Sequence, residues 1–180
     1  MADSADGDDK LIFGPYERFE VDWATYHQRA RTGPCFICKI VARHPEFPAH
    51  VVYEDATAIA FLDKYPRVLG YTLVAPKAHR EQVTGSFSLP EYLELQRVVH
   101  AVAEAVREEV GAARTYVLSL GSNEGNAHVH WHIVPMPAGV PYAQQQFAIF
   151  NRGPLSIPEP DSSDLAARLA ARLNASRFQP

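Results

Sequence analysis

Apolar residues in the middle of the chain recur at two different spacings. Tyr92, Leu95, Val99, Val102, Val106 and Val110 return every three or four positions, which puts one buried face on a long helix. Ser88 and Glu91 have the spacing of a capping box at its start, and Gly111 supplies its stop. On either side the runs become β-rich. HVVYEDATAIAFLD reads as strands over 50–54 and 57–62 around a turn at Asp55, and YTLVAP (71–76) as a third. TYVLSL (115–120) and HVHWHIVP (128–135) are the fourth and fifth, joined by the turn-rich GSNEGN. Short helices are expected within 20–30, over CFICKIVARH, and in SSDLAARLAARLNA, where Leu165, Leu169 and Leu173 share one side. Strands well separated from one long helix point to an α+β domain with a mostly antiparallel sheet of about five strands.

The pattern also divides the chain. Residues 1–10 carry four Asp and no apolar core, and read as a solvated acidic tail. Residues 11–32 mix aromatics with charge and form an extension laid on the domain, which itself spans 33–150. Residues 151–180 are a proline-punctuated tail ending in the short helix. At 180 residues the chain is long enough to bury a substantial core. A formal charge of −4 gives no electrostatic reason to expect a nucleic-acid partner. No apolar run is long enough for a membrane span, and the first residues are neither a signal nor a transit peptide. A cytoplasmic protein is the expectation. There the two cysteines, Cys35 and Cys38, in a C-x-x-C arrangement suggest metal or redox chemistry in place of a structural disulfide.

The densest chemistry lies in HVHWHIV. Alternate side chains of a strand share a face, so His128, His130 and His132 form one row while Val129, Trp131 and Ile133 enter the core. Neutral imidazole titrates nearest neutrality, so such a row can bind metal, hold a phosphate or attack one. The Gly-rich turn before it offers backbone N–H groups to an anion.

His-x-His-x-His followed by two apolar residues resembles the histidine triad (HIT) nucleotide hydrolases and transferases. The likeness covers about residues 35–137 and includes CFICKIV, VVYEDATAIAFLD and GYTLVAPKAH in the family's order. It implies a HIT-like fold and a homodimer. It also implies that His130 is the nucleophile, forming a nucleotidyl-imidazole intermediate on the α-phosphorus that water resolves. His132 would serve the leaving group, and His128 completes the triad. Asp63 in FLDKYP stands where the ribose hydroxyls are held; Asn126 and Gly125 belong to the phosphate turn, and Ser119 lies near a further polar contact. The substrate class so implied is a purine nucleotide of AMP type. Members with the cysteine pair bind zinc through it, the His of P-K-x-H and the first triad His. In this chain those positions are Cys35, Cys38, His79 and His128, and the ion would be structural.

Two departures from the family pattern bear on the reaction. Tyr71, not His, follows Gly70, and the loop before the triad is short, resembling the transferase and phosphorylase branches. Retention of His132 favours hydrolysis. A nucleotidyl transferase or phosphorylase, and a nucleotide-sensing module without turnover, are the alternatives. PYAQQQF is either an arm closing on the site or a solvated segment.

Overall fold

The computed structural model describes residues 10 and 12–175. The acidic tail expected over 1–10 lies, apart from Lys10, outside the described residues, as does the end of the tail from 176 onward. The elements in chain order are α1 (Trp23–Thr32), α2 (Phe36–Val41), β1 (Val51–Glu54), β2 (Ala58–Leu62), β3 (Thr72–Pro76), α3 (Leu89–Val110), β4 (Arg114–Leu118), β5 (Trp131–Met136) and α4 (Glu159–Ala175). Two 3-10 turns, Tyr142–Gln144 and Gln146–Asn151, lie between β5 and α4. The architecture is α+β, a five-stranded antiparallel sheet in the order β1-β2-β3-β5-β4.

Period-two alternation along the strands feeds two cores, one on each face of the sheet. Ala58, Ala60, Val74, Trp131 and Ile133 face α3 and α4. Ile59, Phe61, Leu73, Ala75, Val134 and Met136 face the other way, onto Ile37 and Ile40 of α2 and onto Val140, Ile149 and Leu155. β2 and β3 are therefore apolar at nearly every position, as strands buried on both faces must be. Trp131 packs edge-on to Tyr92 of α3 at a centroid distance of 6.2 Å.

The long helix starts and stops where its pattern requires. The Ser88 and Glu91 side chains satisfy each other's backbone N–H groups, and Gly111 ends the helix at φ 65. Gly70 also has positive φ, 81, and a Cβ there would lie 2.8 Å from Val110 Cγ1. Only glycine brings the chain that close to α3 immediately before Tyr71.

The structure revises several expected boundaries. β5 begins at Trp131, not at 128, because His128–His130 leave the ladder: Val129 N–H donates to the Arg80 carbonyl at 2.7 Å, outside any strand. β4 runs over 114–118, two residues short of the expected end. The terminal helix starts at Glu159, three residues before SSDLAARLAARLNA, and is a core element: Leu165, Ala166, Leu169 and Leu173 are buried with α3 and the sheet. No described helix is long and apolar enough to cross a membrane.

Leu169 is fully buried between α4 and the rest of that core. Leu169→Ala should cost about 2–5 kcal/mol in urea denaturation; a change near zero would mean that α4 does not belong to the folded unit.

Candidate functional site

Three of the imidazoles sit on the face of the sheet that carries α2, and their nitrogens are committed by neighbouring oxygens. A neutral imidazole has one N–H and one lone pair, and a carbonyl oxygen can only accept. His128 Nε2 is 2.9 Å from the Pro76 carbonyl, so Nε2 carries the proton and Nδ1 the lone pair. His130 Nδ1 is 2.7 Å from the His128 carbonyl, so the lone pair of His130 lies on Nε2. Ser119 Oγ donates to the His130 carbonyl at 2.8 Å, tying β4's end to the same backbone. The Phe36 ring meets His130 edge-on at 5.8 Å, and His130 and His132 stand 4.7 Å apart between centroids.

His132 is oriented differently. Its Nδ1 lies 2.7 Å from the Tyr71 hydroxyl, and its buried Nε2 has no protein partner among the described residues. Burial pushes the Tyr71 hydroxyl pKa well above its ordinary value, with the negative charge of Asp63 adding to it, so the phenol stays protonated. A protonated phenol can give or accept a hydrogen bond, so this contact orients the His132 ring. Burial drives the three histidine pKa values down, to about 4 for His128 and about 3 for His132, with His130 shifted the same way. All three are neutral near neutrality, and the His130 lone pair lies on Nε2.

The cysteines and two histidines converge as a set. One ligand atom from each of Cys35, Cys38, His79 and His128 falls within 4.8 Å of the others. Cys35 Sγ and Cys38 Sγ lie 3.3 and 3.5 Å from His128 Nδ1, and Cys38 Sγ is 3.3 Å from His79 Nδ1. Two sulfurs and two nitrogens at such separations suit the tetrahedral ligand shell of a metal ion. The outer nitrogens agree with that use, since His79 Nε2 faces Glu81 Oε1 at 3.0 Å and His128 Nε2 the Pro76 carbonyl. Those partners hold both Nδ1 lone pairs inward. Burial and the neighbouring Cys35 push the Cys38 thiol up to about 11; a bound cation would reverse that by stabilising the thiolate.

Of the residues expected to meet substrate, Asp63 directly follows β2, with Oδ1 accepting from Tyr65 N–H at 2.5 Å and its own N–H donating to the Tyr71 carbonyl. Crowding by surrounding atoms raises its carboxyl pKa, against the Tyr65 N–H and Arg67, which lower it. Asn126 adopts a left-handed φ of 53, and its Nδ2 donates to the Tyr26 hydroxyl of α1 at 3.0 Å. Gly125 lies against α1, where a Cβ would come within 2.9 Å of the Ala30 carbonyl group. PYAQQQF turns back onto the sheet, with the Tyr116 hydroxyl donating to Gln145 Oε1 at 3.1 Å. Phe150, beyond it, reaches the Tyr71 ring at 6.5 Å.

Sequence reading missed Tyr26, Tyr71 as a histidine partner, and Arg67. The buried Arg67 guanidinium lies 4.9 Å from the centre of the Trp23 ring and within electrostatic reach of Asp63. The one signal was Tyr71 itself, a tyrosine where many HIT proteins have histidine. Nothing in local pattern pairs residue 26 with residue 126.

The family model described as HIT domain matches residues 44–138. The chain is 37% identical over 111 residues to an uncharacterized HIT-like protein of Methanocaldococcus jannaschii, covering 58% of this chain and 81% of the relative. A hypothetical histidine triad nucleotide-binding protein from Sulfolobus tokodaii superposes with a TM-score of 0.63 at 30% identity, covering 78% of this chain and 93% of that one. A Zn-bound histidine triad family protein from Mycobacterium smegmatis gives a TM-score of 0.57 at 29% identity, over 78% and 94% of the two chains. The chain belongs to the HIT family.

Tyr71→Phe removes the hydroxyl partner of His132 Nδ1. The ring ¹⁵N shifts of His132 should then change, because Nδ1 loses its hydrogen bond. An unchanged spectrum would show that Tyr71 does not hold the ring.

Proposed function

We propose that this chain is a HIT-family hydrolase that cleaves a nucleoside 5′-phosphate derivative, an adenylyl phosphoramidate or a dinucleoside polyphosphate, through a nucleotidyl-histidine intermediate at His130. The observation that carries this reading is the 2.7 Å contact between His130 Nδ1 and the His128 carbonyl. It puts a lone pair on Nε2 of a neutral, nearly sealed ring, which attacks phosphorus without first losing a proton. In the first step the Nε2–P bond forms as the bond to the leaving group breaks; the neutral His132 side chain orients that group by hydrogen bonding, and an amine leaving group takes its proton from solvent. In the second, water attacks phosphorus as the P–N bond breaks, which restores His130 and releases the water's proton to solvent. Asp63 is the candidate for the ribose hydroxyls, and Gly125 and Asn126 for the phosphate turn; Ser119 supports the reading by holding the His130 backbone.

His130→Ala should lower release of AMP from adenosine phosphoramidates and diadenosine polyphosphates by roughly 10³ or more, because the covalent route is lost. Full turnover in that variant would end the nucleophile claim. Running the wild type with inorganic phosphate tests the second reading, favoured by the short loop before the triad: a phosphorylase releases nucleoside diphosphate in place of monophosphate. Turnover absent from the wild type, with AMP still bound, would instead define a sensing module.

Zinc is the metal that the Cys35, Cys38, His79 and His128 set fits best. When bound, it supplies structural cross-linking with no open coordination position. The residues themselves tie α2 to the segment after β3 and to His128, two residues before the nucleophile, in a reducing, cytoplasmic setting that keeps both thiols available. Purified protein should hold about one zinc per chain, and Cys35→Ser should lose it and melt at lower temperature. Metal-free wild type with the same melting temperature would sink the site. Sedimentation of that sample also tests the homodimer, for which edge strand β4 with its half-exposed Val117 is the candidate face.

A further inference from the structure

α1 lies outside the stretch that matches the family, yet it touches both halves of the proposed nucleotide site. At the phosphate turn, the Ala30 backbone sits where a side chain on Gly125 would be, and the Tyr26 hydroxyl accepts from Asn126 Nδ2 at 3.0 Å. At the nucleoside segment, the Tyr26 ring meets Tyr65 edge-on, 5.6 Å between centroids at 89°. Tyr65 in turn gives its N–H to Asp63 Oδ1. Trp23 fastens the same helix over Arg67, and Asp22 caps its start by accepting from Thr25 N–H. An aromatic bridge therefore spans from Asp63 to Asn126, two residues more than sixty positions apart in the chain.

A hydroxyl that accepts from an amide still has its own proton to give. We infer that Tyr26 is a substrate-binding residue, donating its hydroxyl proton to a phosphate oxygen of the nucleotide while its oxygen holds the Asn126 amide in place. The phosphate's charge needs donors aimed at it, and a neutral phenol beside a left-handed Asn126 supplies one without adding charge. Burial raises the Tyr26 pKa, so the group keeps its proton.

This inference rests on the nucleotide reading above, and calorimetry on the full-length chain separates the two. The probes are AMP and adenosine, which differ by the phosphate. Tyr26→Phe keeps the ring contacts and removes only the hydroxyl; it should weaken AMP binding by about 10-fold and leave adenosine binding unchanged. Asn126→Ala should behave alike, and the double variant should lose less than the product of the two single effects, because the groups act as a pair. Wild-type affinity for AMP in Tyr26→Phe would overturn the contact, as would an equal loss for both probes, which would leave the tyrosine a packing residue. Failure of the wild type to bind AMP would instead bring down the nucleotide reading and this inference with it.

Discussion

The backbone carbonyls of Pro76 and His128 are the constraint on which the rest of the site depends. Each accepts from one ring nitrogen and so decides what the opposite nitrogen can do. At His128 the choice turns Nδ1 toward two thiols; at His130 it leaves Nε2 as the lone pair. The residues form one continuous chain, from β3's last carbonyl through two imidazoles to the hydroxyl of Ser119. Side chains alone would not hold this: a histidine with two free nitrogens exchanges tautomers readily, whereas an oxygen that can only accept permits one.

That arrangement requires His128–His130 to leave the sheet. Had the fifth strand begun at 128, its backbone groups would be spent on β3. Instead the chain departs from the ladder at Trp131, Val129 bonds to Arg80, and the His128 carbonyl turns to His130. Trp131 and Ile133 anchor the turning point in the core beneath α3, while Phe36 closes over His130 from the opposite face. The two cores thus clamp the segment from both sides. The same clamp dehydrates the imidazoles, which keeps them neutral.

Elements around the family's stretch complete what the sheet begins. α2 and its N-cap Cys35 carry both cysteines and the Phe36 ring that covers His130, α1 ties the glycine turn to the Asp63 segment, and α4 fills the other face. The chain's metal-type cluster and its histidine row share His128, so order in one transmits to the other through two residues of backbone. Tyr71 adds to His132 Nδ1 a hydroxyl partner that carries no positive charge.

The hydrophobic period by itself determined the long helix, its cap at Ser88, its stop at Gly111 and the existence of five strands, because those depend on neighbours a few residues away. The histidine alternation, the C-x-x-C pair and P-K-A-H were legible for the same reason. Strand ends were less so: whether residue 128 pairs depends on what β3 and Arg80 offer it, not on its own side chain. Tertiary structure alone decided the tautomers of His128 and His130, the meeting of Tyr26 with Asn126, the burial of Arg67 beneath Trp23 and the docking of α4. These are contacts between residues tens of positions apart, made only when packing brings distant segments together, and local propensity carries no record of them.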